Sequence, residues 1–171
     1  VWHRALLILM LDTGIRVGEL VQLKASDLWY MDSPIAMLDI RKEIAKRHEP
    51  RSIPVTSRLH DKILFLHNIR WNLDHPLDEH YAFHGRAWDV PLSCRTIQRI
   101  VKFHGHHALH RRVWPHMLRH TFATRLMRKC SIRVVQQLLG HASLQSTQIY
   151  THPNHQDLQK AIDSLNERDD K

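Results

Sequence analysis

A mainly α-helical chain with a small antiparallel β-sheet is predicted by three features of the sequence. Apolar residues recur at i, i+3 and i+4 in several windows, the spacing that gathers them on one helix face. Residues that start and stop helices bracket those windows, with Thr56 or Ser57, Ser93, Pro115 and Ser131 ahead of them and Gly14, Gly105 and Gly140 behind. Only one region, Ile35 to Val55, is dominated by β-prone pieces, and the charged stretch KEIAKRHEPR divides it. The 171 residues, 43% hydrophobic and 25% charged, suit one domain with a single core and exclude a disordered or collagen-like chain.

The elements follow in order. Trp2 to Leu11 carries a near-continuous apolar surface, so it reads as a mostly buried helix ended by Thr13 and Gly14. A second helix is expected from Ile15 to about Leu23, before Ser26 and Asp27. Ile35 to Ile40, Ile44 and Ser52 to Val55 supply the sheet, with a basic loop between them. Leu59, Ile63, Leu66 and Ile69 mark the next helix, which fades into a Pro- and Asp-bearing loop from Trp71 to Glu79, and Tyr81 to Phe83 reads as a short strand. Ser93 caps Cys94 to His104, with Ile97, Ile100, Val101 and Phe103 inward, Arg95, Arg99 and Lys102 outward, and Gly105 as the stop. Pro115 pre-sets a helix from His116 to about Lys129, and Ser131 opens Ile132 to Leu139, ended by Gly140. A short helix near Ser146 to Tyr150 and a last one from Gln156 to Asn166 complete the chain.

Charge narrows the function. Lys and Arg number 25 against 17 Asp and Glu, a net charge of +8 with the 16 His neutral. Such a balance suits a polyanionic partner, because basic side chains release the counterions condensed on phosphates. Protonation of histidines near pH ~6.5 would add charge, so DNA affinity is expected to rise as pH falls. Two cysteines without a CxxC spacing give neither a disulfide framework nor a zinc site, which fits a reducing cytosol. The longest apolar run, Ala5 to Leu11, is too short to span a bilayer, and no signal-peptide pattern follows it.

Three motifs carry the chemistry: T-G-x-R-x-x-E-L at 13–20, H-x-L-R-H-T-x-A-T at 116–124, and L-G-H-x-S-x-x-x-T-x-x-Y at 139–150. Together they resemble the tyrosine site-specific recombinase and integrase family, also called the lambda-integrase family. A catalytic domain of that family carries Arg, Lys, H-x-x-R, His or Trp, and a Tyr nucleophile in this order. Arg16, Lys46, His116, Arg119, His141 and Tyr150 occur here in that order. The resemblance spans essentially residues 1–171 and implies the DNA breaking-rejoining catalytic fold, with the amino-terminal core-binding domain of the family absent from this chain. It further implies strand cleavage through a 3′-phosphotyrosyl link, a double-stranded DNA partner and a homotetramer on DNA. The protein alone is expected to be monomeric, cytoplasmic at the nucleoid, and independent of membrane, metal and small-molecule cofactor.

The residues support the same chemistry. A phosphodiester gains negative charge on its non-bridging oxygens during attack, and an enzyme without metal must place fixed cationic donors there. A guanidinium stays charged and donates two parallel hydrogen bonds, which selects Arg16 and Arg119. Glu19, three residues after Arg16, lies on the same helix face and is expected to orient it. His116 and Arg119 are likewise one turn apart at a helix start, where exposed N–H groups favour anions. His116 and His120 share the i, i+4 spacing of metal ligands, but no H-E-x-x-H carboxylate or third ligand accompanies them. His120 is instead expected to face the core or support the site, and His104, His106, His107 and His110 to form a solvated loop. The Tyr150 phenol, ordinarily protonated at pH 7, needs the surrounding cations for attack. His141, after a helix-ending Gly140, is assigned as a hydrogen-bond donor.

In the family a lysine on the β-hairpin loop protonates the leaving oxygen, and counting back from RSIPV selects Lys46. The usual flanking glycines are replaced by Ala45 and Arg47, which leaves Lys42 and Arg47 as rivals. Arg47, Arg95, Arg99 and Lys102 are the expected DNA contacts. Two other functions use the same features: relaxation of DNA by a type IB topoisomerase, and DNA binding without catalysis. A metal-dependent nuclease is disfavoured because no carboxylate cluster accompanies the histidines.

Overall fold

The first helix, α1 (Trp2–Thr13), turns Ala5, Leu6, Leu9 and Met10 into the core, each 1% exposed or less. The computed structural model describes residues 2–45, 49–71 and 74–140. Gly14 ends α1 in the left-handed region at φ +59°, and a Cβ there would lie 2.4 Å from Phe122 Cδ1. Turn and close approach therefore both demand glycine. Asp12 is buried one residue before the end of α1 and accepts from Thr56 Oγ1 at 2.6 Å and Arg58 Nε at 2.6 Å.

The helix expected from Ile15 to Leu23 is much shorter: α2 covers Val17–Leu20 and is followed by a 3₁₀ turn at Ala25–Asp27. Long-range pairing explains the difference. Leu23 O accepts from Ala82 N at 2.8 Å and Lys24 forms a β-bridge with Tyr81, so the backbone is drawn away from helical bonding. That single bridge is what the described residues show of the strand expected at Tyr81 to Phe83.

Two antiparallel hairpins replace one sheet. β1 (Trp29–Tyr30) pairs with β2 (Ser33–Pro34) across Met31 and Asp32, both at positive φ as tight two-residue hairpins require. β3 (Met37–Ile40) pairs with β4 (Arg51–Pro54) in the register Leu38↔Ile53 and Ile40↔Arg51. Alternation places Leu38, Ile40, Arg51 and Ile53 on the buried face. Ile44 sits in the turn after β3 rather than in a strand.

The capping expectations hold for α3 (Ser57–Ile69) and α4 (Cys94–Leu109), whose N-caps Thr56 and Ser93 accept from Leu59 N and Thr96 N. Ile69, however, is 61% exposed at the end of α3. Helix α4 runs through Gly105 and ends at His110 in the left-handed region. Gly105 is needed for packing instead, since a Cβ there would lie 2.4 Å from Val113 Cβ. His104, His106 and His107 consequently sit on a helix, and Phe103 is 57% exposed instead of inward.

α5 (Pro115–Met127) has Pro in its first turn and stops two residues before Lys129. α6 (Ile132–Leu139) ends at Gly140 with φ +59°. Helix α1 packs on α3 and α5, which anchors α5 against the main core. A second buried cluster of Phe122, Ala123, Val135 and Leu139 joins α5 to α6. Among the described residues no helix is long and apolar enough to cross a membrane. The expected helices near Ser146 to Tyr150 and Gln156 to Asn166 lie outside the described residues.

Candidate active site

Arg16 stands at the N-cap of α2 in extended conformation, φ −74° and ψ 148°. Its backbone N donates to Glu19 Oε2 at 2.9 Å, the reciprocal half of a capping box, while its Nη1 donates to Glu19 Oε1 at 2.9 Å. The i, i+3 pair is therefore made, and Glu19 holds both the backbone and the guanidinium of Arg16. With 24% of its side chain exposed and donors beyond those two contacts, Arg16 remains within reach of an anion.

Arg119 comes from the second turn of α5 and is only 4% exposed. Its Nη1 donates to Gly14 O at 2.5 Å and its Nη2 to Leu139 O at 2.6 Å. Arg16 Nη2 donates to the next carbonyl, Gly140 O, at 3.1 Å. The two arginines, 103 residues apart by number, thus meet on adjacent backbone oxygens. Those oxygens end α6, where carbonyls lack helical partners and the helix dipole is negative.

A third guanidinium, absent from the sequence motifs, completes the cluster. Arg51, 7% exposed on β4, donates Nη1 and Nη2 to Glu19 Oε1 and Oε2 at 3.0 and 2.6 Å, and Nε to Leu138 O at 3.1 Å. Burial pushes the Glu19 carboxyl up, but hydrogen bonds and charge from Arg51, then the donors of Arg16, outweigh it and hold the group at about 2. Carbonyls 138, 139 and 140 each receive one arginine. A Cβ on Gly140 would come within 3.0 Å of Arg51 Cδ, so this backbone lies directly against the arginine stem.

His116 is exposed at the second position of α5. It lines a cleft of about 420 Å³ with Val17, Gln98, Lys102, Arg112, Val113, Trp114 and Pro115. Lys102 therefore opens onto the same cleft as His116 and the residue next to Arg16, and Arg112 adds a cation that the sequence reading did not single out. Arg95 and Arg99 are exposed on α4, as expected. His120 is exposed and contacts Thr124 Oγ1 at 3.3 Å, rather than facing the core. Lys46 and Arg47, on the β3–β4 loop, and His141 and Tyr150 lie outside the described residues, while Lys42 is exposed just after β3.

Arg16 and Arg51 share the buried Glu19 carboxylate in a mainly helical domain, and the chain belongs to the phage integrase family. The pattern of that family matches residues 1–157. The chain is 37% identical over 166 residues to tyrosine recombinase XerA of Pyrococcus furiosus, covering 95% of this chain and 54% of that protein. The crystal structure of XerA recombinase superimposes with a TM-score of 0.73 at 32% identity, over 95% of this chain and 58% of that one. XerH site-specific recombinase, bound to palindromic difH substrate in a post-cleavage complex, gives a TM-score of 0.72 at 28% identity, over 94% of this chain and 44% of that one. The chain spans about half the length of the curated relatives it matches.

Proposed function

We propose that residues 1–171 form the catalytic domain of a tyrosine recombinase that cleaves and rejoins duplex DNA in site-specific recombination or integration. The observation that carries this reading is the meeting of Arg16 and Arg119 at the end of α6, one residue before His141. The post-cleavage complex of the related XerH site-specific recombinase with palindromic difH substrate supports it.

In the proposed reaction the Tyr150 phenolate attacks the scissile phosphorus. The Tyr–O–P bond forms as the P–O5′ bond breaks, leaving a 3′-phosphotyrosyl link and a 5′-hydroxyl. Arg16 and Arg119 neutralise the non-bridging oxygens, with His116 and His141 as further donors. Lys46 gives its proton to the departing O5′. The ester energy is kept in the tyrosyl link, so attack by a 5′-hydroxyl reverses the step without a nucleotide cofactor. Double-stranded DNA is the partner, bound through Lys102, Arg95, Arg99 and Arg47, and four protomers assemble on it. The site of action is the cytoplasm, at the nucleoid.

Nicked suicide duplexes cut from DNA flanking the gene provide the test. The wild-type protein is expected to form a denaturant-stable DNA adduct whose labelled peptide contains Tyr150. Tyr150→Phe should retain duplex binding and form none. An adduct surviving that substitution would place the nucleophile elsewhere, and relaxation of supercoiled plasmid lacking the site would favour a topoisomerase.

A further inference from the structure

Arg51 belongs to none of the recognised motifs, yet it shares a carboxylate with Arg16. Strand alternation sends its side chain inward beside Ile53. A buried guanidinium is costly unless its charge and donors are matched, and here all three contacts serve that end. Two nitrogens grip the two oxygens of Glu19, and the third reaches Leu138 O. The same carboxylate oxygens receive the Arg16 guanidinium and the Arg16 backbone N–H. Glu19 thus sits between an arginine fixed in a strand and a partly exposed arginine at the N-cap of α2.

Resting on the phosphate-binding role proposed for Arg16, we propose that Arg51 is a positioning residue for DNA cleavage. It fixes Glu19 so that the carboxylate aims Arg16 at the scissile phosphate, and it ties this arrangement to the end of α6. Without the Arg51 fork, the Arg16–Glu19 contact would be a neighbouring pair on a one-turn helix. Forked contact with Arg51 fixes it, because a planar guanidinium accepts only one orientation of the carboxylate.

The charge state follows from the same contacts. Charged groups that lower the Glu19 carboxyl include Arg51 from β4 and Arg16 from the start of α2. Helix α6 presents carbonyls to this cluster, and the Arg119 guanidinium of α5 points at Gly14 O and Leu139 O. Without Arg51, burial would act on Glu19 with its largest opposing charge removed, and the carboxyl would titrate above its present value of about 2.

The experiment compares wild type, Arg51→Gln, Arg51→Lys and Arg16→Ala on the nicked duplexes described above. It measures duplex binding, single-turnover cleavage at saturating DNA and, without DNA, the ¹³C titration of the Glu19 carboxyl. Arg51→Gln is expected to bind normally, to cleave about 10–100-fold more slowly, and to shift the Glu19 titration upward. Arg51→Lys, which restores charge but not the fork, should fall between Gln and wild type in both readouts. Cleavage within about threefold of wild type, an unmoved Glu19 titration, or a loss that follows the folded fraction would overturn the role. Should Arg51→Gln not fold, the same criteria applied to Arg51→Lys decide the matter. Wild-type-like cleavage by Arg16→Ala would instead remove the phosphate reading, whereas an inactive Arg16→Ala beside fully active Arg51 variants would remove Arg51 alone.

Discussion

Arg119 anchors two segments far apart in the chain, Gly14 and Leu139, through a side chain only 4% exposed. Arg119→Ala removes the transition-state donor proposed above and strands two carbonyls. Cleavage of a suicide duplex should fall by about 10²–10³, as for loss of a single oxyanion donor. Urea unfolding should also show a loss of about 1–3 kcal/mol from the unmatched buried acceptors. Lysine would not restore the rate, because one ammonium cannot span both Gly14 O and Leu139 O as the two guanidinium nitrogens do. The Arg16–Glu19 pair was legible because both partners lie within one helical turn. Arg51 was not, because a lone arginine beside a charged run reads as solvated, and its partner Glu19 is 32 positions away. Alternation with Ile53 was the available signal, since RSIP as a strand puts Arg51 and Ile53 on one face.

The helices were read best where a local cap fixes them, as at Thr56, Ser93 and Gly140. They were misread where distant contacts decide. Leu23 and Lys24 leave the helix to pair with residues 81 and 82, and Gly105 serves the approach of Val113 rather than a helix end. Glycines can therefore be separated by what a methyl group would meet. Gly14→Ala forces a Cβ to 2.4 Å from Phe122 in a left-handed backbone, at the segment that receives Arg119. It should lower stability by about 1–3 kcal/mol and slow cleavage. Gly18→Ala, within α2 and with nothing in the space its Cβ would enter, should be neutral or stabilising by up to about 1 kcal/mol. Thermal melts of the two variants make the comparison.

Across the whole molecule, acid acts against the fold in two steps. His3, His80 and His84 are held below their ordinary 6.5, in each case first by burial. The His80 ring is fully buried and stacked 4.7 Å from Trp88. Depressed histidines favour the neutral folded state, so the unfolded chain binds more protons as pH drops through about 6.5 and stability declines. A second decline begins near 4.5, as Glu19, ionised in the fold down to about 2, becomes protonated in the unfolded chain. Calorimetry should therefore give a lower Tm at pH 5 than at pH 7.5, at about 2–4 °C for each kcal/mol lost. A rising Tm on acidification would contradict the buried neutral rings.

On α6 the three arginines take main-chain oxygens, those of residues 138, 139 and 140. Every amino acid except for backbone shape offers the same acceptor, so mutational drift can rewrite the partly buried Leu138 side chain while the scaffold keeps its grip. Gly140 has no such latitude. Divergent descendants can thus change the side chains around the arginine cluster and inherit its backbone grip unchanged.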